Sequence, residues 1–232
     1  MRKLISFLGR STGRNHLRID ESMPTADLIA LCFRWGTEFL RYQINRPTFG
    51  CSGFLGFLGR GTRIIGRSHL FMESGVAIGS SVKINAVSRG GVFLRANVVL
   101  KDYCVIDCVG VVRQLGEKLV IGHNTGFSER CFIQVRGPVI IGSHCIFGPE
   151  VKIFSEGHNF NDLSVPIMYQ GETRKGVLIE DDVWVGAGAI ILDGSIIRSG
   201  TILAAGSVFS GESQPNSIYA GVPAKFIRSR ES

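Results

Sequence analysis

From Ile179 to Phe209 the hydrophobic positions recur at every sixth residue. Cut into sixes, this stretch reads IEDDVW, VGAGAI, ILDGSI, IRSGTI, LAAGSV and FSGESQ, opened in turn by Ile179, Val185, Ile191, Ile197, Leu203 and Phe209. The fifth place is small: Val183, Ala189, Ser195, Thr201 and Ser207. A helix repeats at 3.6 residues and a strand alternates, so neither gives this pattern. A coil whose flat sides are each one short strand, with a turn at every corner, does. The spacing extends back through Ile153, Phe147, Ile141, Ile133, Phe127 and Ile121 to Ile106, Leu100, Leu94, Ile84 and Ile65, with one slip of register around Ala77 and Ile78. At three hexads to a turn, this predicts an all-β coil of about seven stacked turns, each opening residue pointing inward and each turn burying its faces against its neighbours.

Two stretches interrupt the repeat, Val111 to Val120 and the longer Asn159 to Val177. A regular coil has no need of them, so they are where binding work is expected. Ahead of the repeats, Leu28, Leu31, Cys32, Trp35, Phe39 and Tyr42 recur at helical spacing between Thr25, an N-cap candidate, and about Asn45. One amphipathic helix is predicted there, packed across the end of the coil to cover its core. Arg34, Glu38 and Arg41 interrupt its apolar run, which argues against a membrane span. GCSGFLGFLGRG, from Gly50 to Gly61, reads as a turn leading into the coil. The predicted organisation is an arm and helix over 1–62, a coil domain over 63–211 carrying the loop 159–177, and a tail over 212–232.

Charge changes this picture only at one end. The net charge is +7, but residues 1–63 hold ten Lys/Arg against four Asp/Glu, leaving the remainder nearly balanced. No nucleic-acid partner is expected of the repeats. The basic helical segment, 1–46, is a candidate for peripheral contact with an anionic inner-membrane face. Six cysteines are present, and Cys104, Cys131 and Cys145 fall at the small fifth place of their hexads. With no secretory signal ahead of them, they are expected to be reduced packing residues of a cytoplasmic protein.

Of the five histidines, His69 and His123 lie within repeats, His144 at a corner and His16 in the basic arm. His158 alone combines a fixed position on the coil with an overhanging loop. An imidazole titrates near neutrality and can take a proton from a hydroxyl or amine and release it afterwards. Asn159, Asp162 and Gln170 lie in the same loop as candidates to orient it or to bind a hydroxylated ligand, Asp162 first among them, because a carboxylate beside an imidazole fixes its tautomer.

The runs GHNFNDLSVPIMYQG, VLIEDDVWVGAGAIIL, LAAGSV and SIYAGVPAKFIRSR resemble the hexapeptide-repeat acyltransferases over residues 65–230, and most of all the O-acetyltransferases that decorate bacterial surface sugars, related to the galactoside and maltose acetyltransferases. The resemblance implies a left-handed parallel β-helix and a homotrimer with its active sites between adjacent coils. It also implies a saccharide acceptor and acetyl-CoA as donor, with no metal; the basic segment 1–46 suggests that the acceptor is presented on a lipid carrier. It makes His158 the general base, and places the main chain of Ala187 and Ala205 along the pantetheine arm and Trp184 beside that slot. Lys225 and Arg228 would meet the cofactor's phosphates. Ser210 and Gly211 stand where many relatives carry Thr and Lys, so one phosphate contact is altered here. Other acceptors (an amino sugar, serine, an antibiotic), a noncatalytic scaffold, and a zinc enzyme of the γ-carbonic anhydrase kind are the alternatives. The last needs a close histidine pair that the chain lacks.

Overall fold

The structure, a computed structural model, describes residues 20, 22–111 and 114–231. The basic arm over residues 1–19, with His16, lies outside the described residues. Three sheets run the length of the coil, all their strands parallel except the last of the second, which pairs antiparallel. The first has seven strands, from Cys51–Ser52 to Ile196–Ile197; the third also has seven, from Arg63–Ile65 to Val208–Phe209; the second has nine, from Gly56–Leu58 to Ala224–Ser229. Each strand pairs in register with the one a turn away, so that Ile64, Ile84, Ile106, Ile133 and Ile153 form one inward ladder. Seven turns of left-handed β-helix result: the repeat predicts the stacked coil, and the family resemblance its hand.

The hexad rule holds at side-chain level. Ile179, Val185, Ile191, Ile197, Leu203 and Phe209 are all buried, as are the small residues Val183, Ala189, Ser195, Thr201 and Ser207. Cys104, Cys131 and Cys145 share those inner places, and all six cysteines are free thiols. Phe127 stacks on Phe147 one turn above, with ring centroids 4.1 Å apart. Corners require a left-handed residue: along the edge between the second and third sheets these are Gly61, Ser81, Tyr103, Arg130, Glu150, Gly188 and Gly206. His144 occupies such a position on the edge between the first and second sheets, with φ of 61°.

The first turn departs from the sequence reading. The coil begins at Cys51, not near 63, because Cys51 and Ser52 pair with Phe71 and Met72, and Gly56–Leu58 pairs with Val76–Ile78. The glycines of this stretch serve packing and not a turn. A Cβ on Gly53 would lie 2.5 Å from the Ser74 nitrogen, and one on Gly56 would lie 2.4 Å from the Tyr42 ring. Ile64, not Ile65, faces the core; Ile65 is exposed.

Helix α1 (Thr25–Asn45) lies over that first turn and covers it. Tyr42 is buried in the core beneath it, its hydroxyl donates to the Gly53 carbonyl, and Arg41 donates to the Leu58 carbonyl; Leu28 is also buried. Thr25 sits inside the first helical turn; Pro24 precedes it and its carbonyl accepts from Leu28 N–H. Ile29, Phe33, Leu40 and Ile44 form a second apolar stripe on the outer side and are exposed. No helix among the described residues is long and apolar enough to cross a membrane.

Candidate active site

Both interruptions of the repeat leave the coil at the edge between the third and first sheets. The first is an antiparallel hairpin, Val109–Val111 with Gln114–Leu115, from the third turn; the second pairs Gly157–His158 with Glu172–Thr173, from the fifth. The root of the second is fixed on both sides. On the leading side, the buried Ser155 Oγ accepts the Arg136 N–H at 2.9 Å and donates to the Gln134 carbonyl at 2.8 Å. On the trailing side, the Asp193 carboxylate accepts the N–H groups of Lys175 and Gly176, at 3.1 and 2.8 Å. Gly176 holds a φ of 88°, and a Cβ there would meet the Pro138 carbonyl oxygen at 2.3 Å, so this position requires glycine.

His158 is therefore held by its backbone, opposite Glu172, with its side chain exposed. Among the described residues its imidazole makes no side-chain hydrogen bond. Asn159, Asp162 and Gln170 are engaged within the loop itself. Asn159 Nδ2 donates to the Gln170 carbonyl at 3.0 Å. Gln170 Nε2 donates to the carbonyls of Asp162 and Val165, both at 2.7 Å, and its Oε1 accepts the Asp162 N–H. Asp162 Oδ1 accepts from the Ser164 hydroxyl and N–H, and those bonds hold its carboxyl below the usual carboxylate range. These three side chains fold the loop, and among the described residues none of them hydrogen-bonds the His158 imidazole.

Ala187 and Ala205 stand one above the other on a different edge, between the second and third sheets. Gly206 N–H donates to the Ala187 carbonyl at 2.8 Å. Among the described residues the Ala187 and Ala205 N–H groups donate to no backbone carbonyl, and both residues are exposed. Space beside them is open: nothing lies within 4 Å of a Cβ built on Gly188 or Gly206. Two turns together thus present a bare strip of main chain with two unspent donors, which fits a thin amide-bearing arm.

Trp184, 52% exposed, lies on the outer face of the second sheet in register with Ile202 and, through it, Ile218. An irregularity after Ile218 pairs it with Arg228, while Ala220 pairs with Lys225. Paired residues share a face, so this irregularity turns both cations toward the outer face that carries Trp184, three strands away. Ser210 is exposed at the far end of the last third-sheet strand, away from the Ala205 edge. Trp184, Lys225 and Arg228 thus share the outer face of the second sheet, Ala187 and Ala205 its edge with the third, and His158 lies on the opposite edge of the third sheet.

Ser155 and Asp193, which hold the loop's root, carried no signal beyond being polar residues at hexad corners. His123 Nδ1 lies 3.5 Å from Glu73 Oε2, remote in the chain from His158, and among the described residues no three His, Cys, Asp or Glu side chains converge as a metal set.

Residues 176–211 match the bacterial transferase hexapeptide family, described as six repeats. A probable acetyltransferase of Mycobacterium tuberculosis is 26% identical over 72% of this chain and 52% of its own length. A putative lipopolysaccharide biosynthesis O-acetyl transferase of Escherichia coli K12 is 28% identical over 65% of this chain and 66% of its own. The galactoside O-acetyltransferase of Lactococcus lactis is 34% identical over 39% and 42%. The chain spans about half to two thirds of the length of the first two and less of the third. Among solved structures, the N-acyltransferase AntD of Bacillus cereus, in complex with dTDP and 3-hydroxybutyryl-CoA, superposes with a TM-score of 0.55 at 16% identity, over 82% of this chain and 88% of that one; this likeness concerns the fold. Residues 176–211 thus carry the hexapeptide repeat of the bacterial transferases, and beyond that stretch the chain is similar to proteins named as acetyltransferases.

Proposed function

We propose that the protein is an acetyl-CoA-dependent O-acetyltransferase that acts on a sugar hydroxyl in the biosynthesis of a bacterial surface polysaccharide. The observation that carries this reading is the pairing of an exposed His158, on a hairpin with a fixed root, with a bare main-chain strip at Ala187 and Ala205. His158 accepts the proton of the acceptor hydroxyl as its oxygen attacks the thioester carbonyl. The C–S bond then breaks, and the imidazolium returns the proton to the departing sulfur. Backbone N–H groups at the small corners suit the oxyanion. Ala187 and Ala205 offer their donors to the amides of the donor's arm, and Lys225 and Arg228 supply charge-assisted contacts for its phosphates.

Within one chain the base and the strip lie on opposite edges of a sheet whose strands are short, on the order of 10 Å apart or more at about 3.3 Å per residue. A second copy must bring its strip to this His158, which supports a homotrimer with its sites between neighbours. The names of the relatives in Escherichia coli and Lactococcus lactis support a saccharide acceptor. Mass spectrometry of surface glycans from cells with and without the gene tests it: loss of one acetyl ester supports the reading, and an unchanged acetyl pattern removes it. Loss of an N-acetyl group instead would assign an amine acceptor to the same base.

The acceptor is presented at an anionic membrane face, to which α1 binds peripherally. Support comes from the exposed stripe Ile29, Phe33, Leu40 and Ile44, and from the five Lys/Arg and no Asp/Glu of residues 1–19. Phe33→Ser with Leu40→Ser should abolish pelleting with vesicles containing one third phosphatidylserine. Equal pelleting of this variant and the parent would sink the contact.

A further inference from the structure

One side chain ties together the two hairpins that leave the coil on the His158 edge. Arg174 follows the Glu172–Thr173 strand directly. Its Nε donates to Glu156 Oε2 at 2.8 Å, and its Nη2 donates to Gln114 Oε1 at 2.7 Å. Nη2 also lies 2.8 Å from Glu156 Oε2, and the two ionised side chains are only 24% and 15% exposed. Glu156 stands two residues ahead of His158. Arg174 stands two residues beyond Glu172, the partner of His158 across the hairpin. Gln114 opens the second strand of the lower hairpin. That hairpin is pinned at its own root by Arg136, 5% exposed, which donates to the Asp107 carbonyl and carboxylate, both at 2.9 Å. A Cβ on Gly110 would lie 2.5 Å from Arg136 Nε, so the hairpin is packed directly on that guanidinium.

We infer that Arg174 is a positioning residue: its guanidinium aligns the paired strands Val109–Val111 and Gln114–Leu115 beside the hairpin bearing His158 and makes them a wall of the acceptor site. This rests on the reading of His158 as the base. The imidazole has no side-chain hydrogen bond among the described residues, so its direction depends on its backbone. That backbone is a two-residue strand pair, too short to be rigid alone. A planar fork with charge-assisted bonds in a sheltered place fixes the orientation of both its partners. The two hairpins leave the coil two turns apart, roughly 10 Å at the spacing of parallel strands. An acceptor larger than one sugar ring that lies against His158 on this edge therefore meets the strands Val109–Val111 and Gln114–Leu115. A lysine, as a point charge, cannot hold Glu156 and Gln114 in one plane.

The test compares the full-length parent with Arg174→Ala, Arg174→Lys, Gln114→Ala and His158→Ala. Hydrogen exchange is read by mass spectrometry, and acetyl transfer is measured with whichever p-nitrophenyl glycoside the parent acetylates. In Arg174→Ala, exchange should rise about tenfold over 157–173 and 109–115 while the coil strands keep their protection. Gln114 is exposed; its replacement by Ala should loosen only 109–115 and raise the acceptor KM about threefold or more, with the donor KM unchanged. Arg174→Lys should fail to restore 109–115. Unchanged exchange in Arg174→Ala, or an unchanged acceptor KM in Gln114→Ala, overturns the inference. His158→Ala should keep the parental exchange pattern, and activity retained there would remove the base without touching the clamp.

Discussion

Replacing His158 by Ala should separate chemistry from folding. Its side chain is exposed and, among the described residues, makes no side-chain hydrogen bond, so no buried contact is lost. The backbone pair with Glu172 survives the substitution. A surface change of this kind moves stability by no more than about 0.5 kcal/mol. A general base contributes about 10²- to 10⁴-fold to the rate, which at about 1.36 kcal/mol per decade is roughly 2.7–5.5 kcal/mol of barrier. The expected loss in kcat is therefore at least a hundredfold with thermal stability unmoved. Release of the CoA thiol, followed with a chromogenic disulfide at saturating donor and acceptor, measures kcat. Calorimetry with CoA and size exclusion with light scattering establish that donor binding and assembly persist. A kcat within tenfold of the parent would refute the assignment, as would a melting temperature so lowered that the loss is structural. His158→Asn, which keeps polarity without the titration, should behave as Ala does.

Ala205→Trp would fill the open space beside the main-chain strip and should raise the donor KM at least tenfold with little change in melting temperature; parental donor kinetics would show that the arm lies elsewhere. Neutral residues at Lys225 and Arg228 should raise the KM for acetyl-CoA and flatten its salt dependence while sparing the acceptor KM, and an unchanged donor KM would remove both from the site. Burial pushes the Cys145 thiol up to about 11 and, with the nearby Asp107 charge adding to it, the Cys108 thiol up to about 12, from ordinary values near 9. The folded form keeps protons that the unfolded chain releases, so this stabilisation is complete below pH 9 and is lost as pH rises through the folded values, by about 1.4 kcal/mol per thiol per unit. Urea unfolding of the parent and Cys145→Ala at pH 8 and pH 10 should show a shallower decline in the variant; equal declines would count against it.

Much of the architecture is legible in the chain because each hexad writes its own burial: Ile191 and Phe209 point inward because each opens its hexad, as do the openers from Ile84 to Ile153. The first turn hides from that reading. Its glycines at 53 and 56 are dictated by the approach of the Ser74 backbone and the Tyr42 ring, neither of which is close in sequence. His158 was legible as the histidine at the root of an interruption. Its surroundings were not, for Asp162 and Gln170 bond within the loop, and the root depends on Ser155 meeting Arg136 and on Asp193 meeting Gly176.

Along the chain His158 lies ahead of the repeat from Ile179 to Phe209. By itself the sequence determined the period, the inward residues, the small corners and the place of the loop, since all of these are local rules applied every six residues. Only the tertiary structure decided which corner lies on which edge. A period of six wound three to a turn distributes chain neighbours over three edges, so Ala187 and Ala205 come together while His158 goes to another side. The bond from Arg174 to Gln114, 60 residues away, follows from the same winding. Proximity in a coil is set by the turn and not by the hexad.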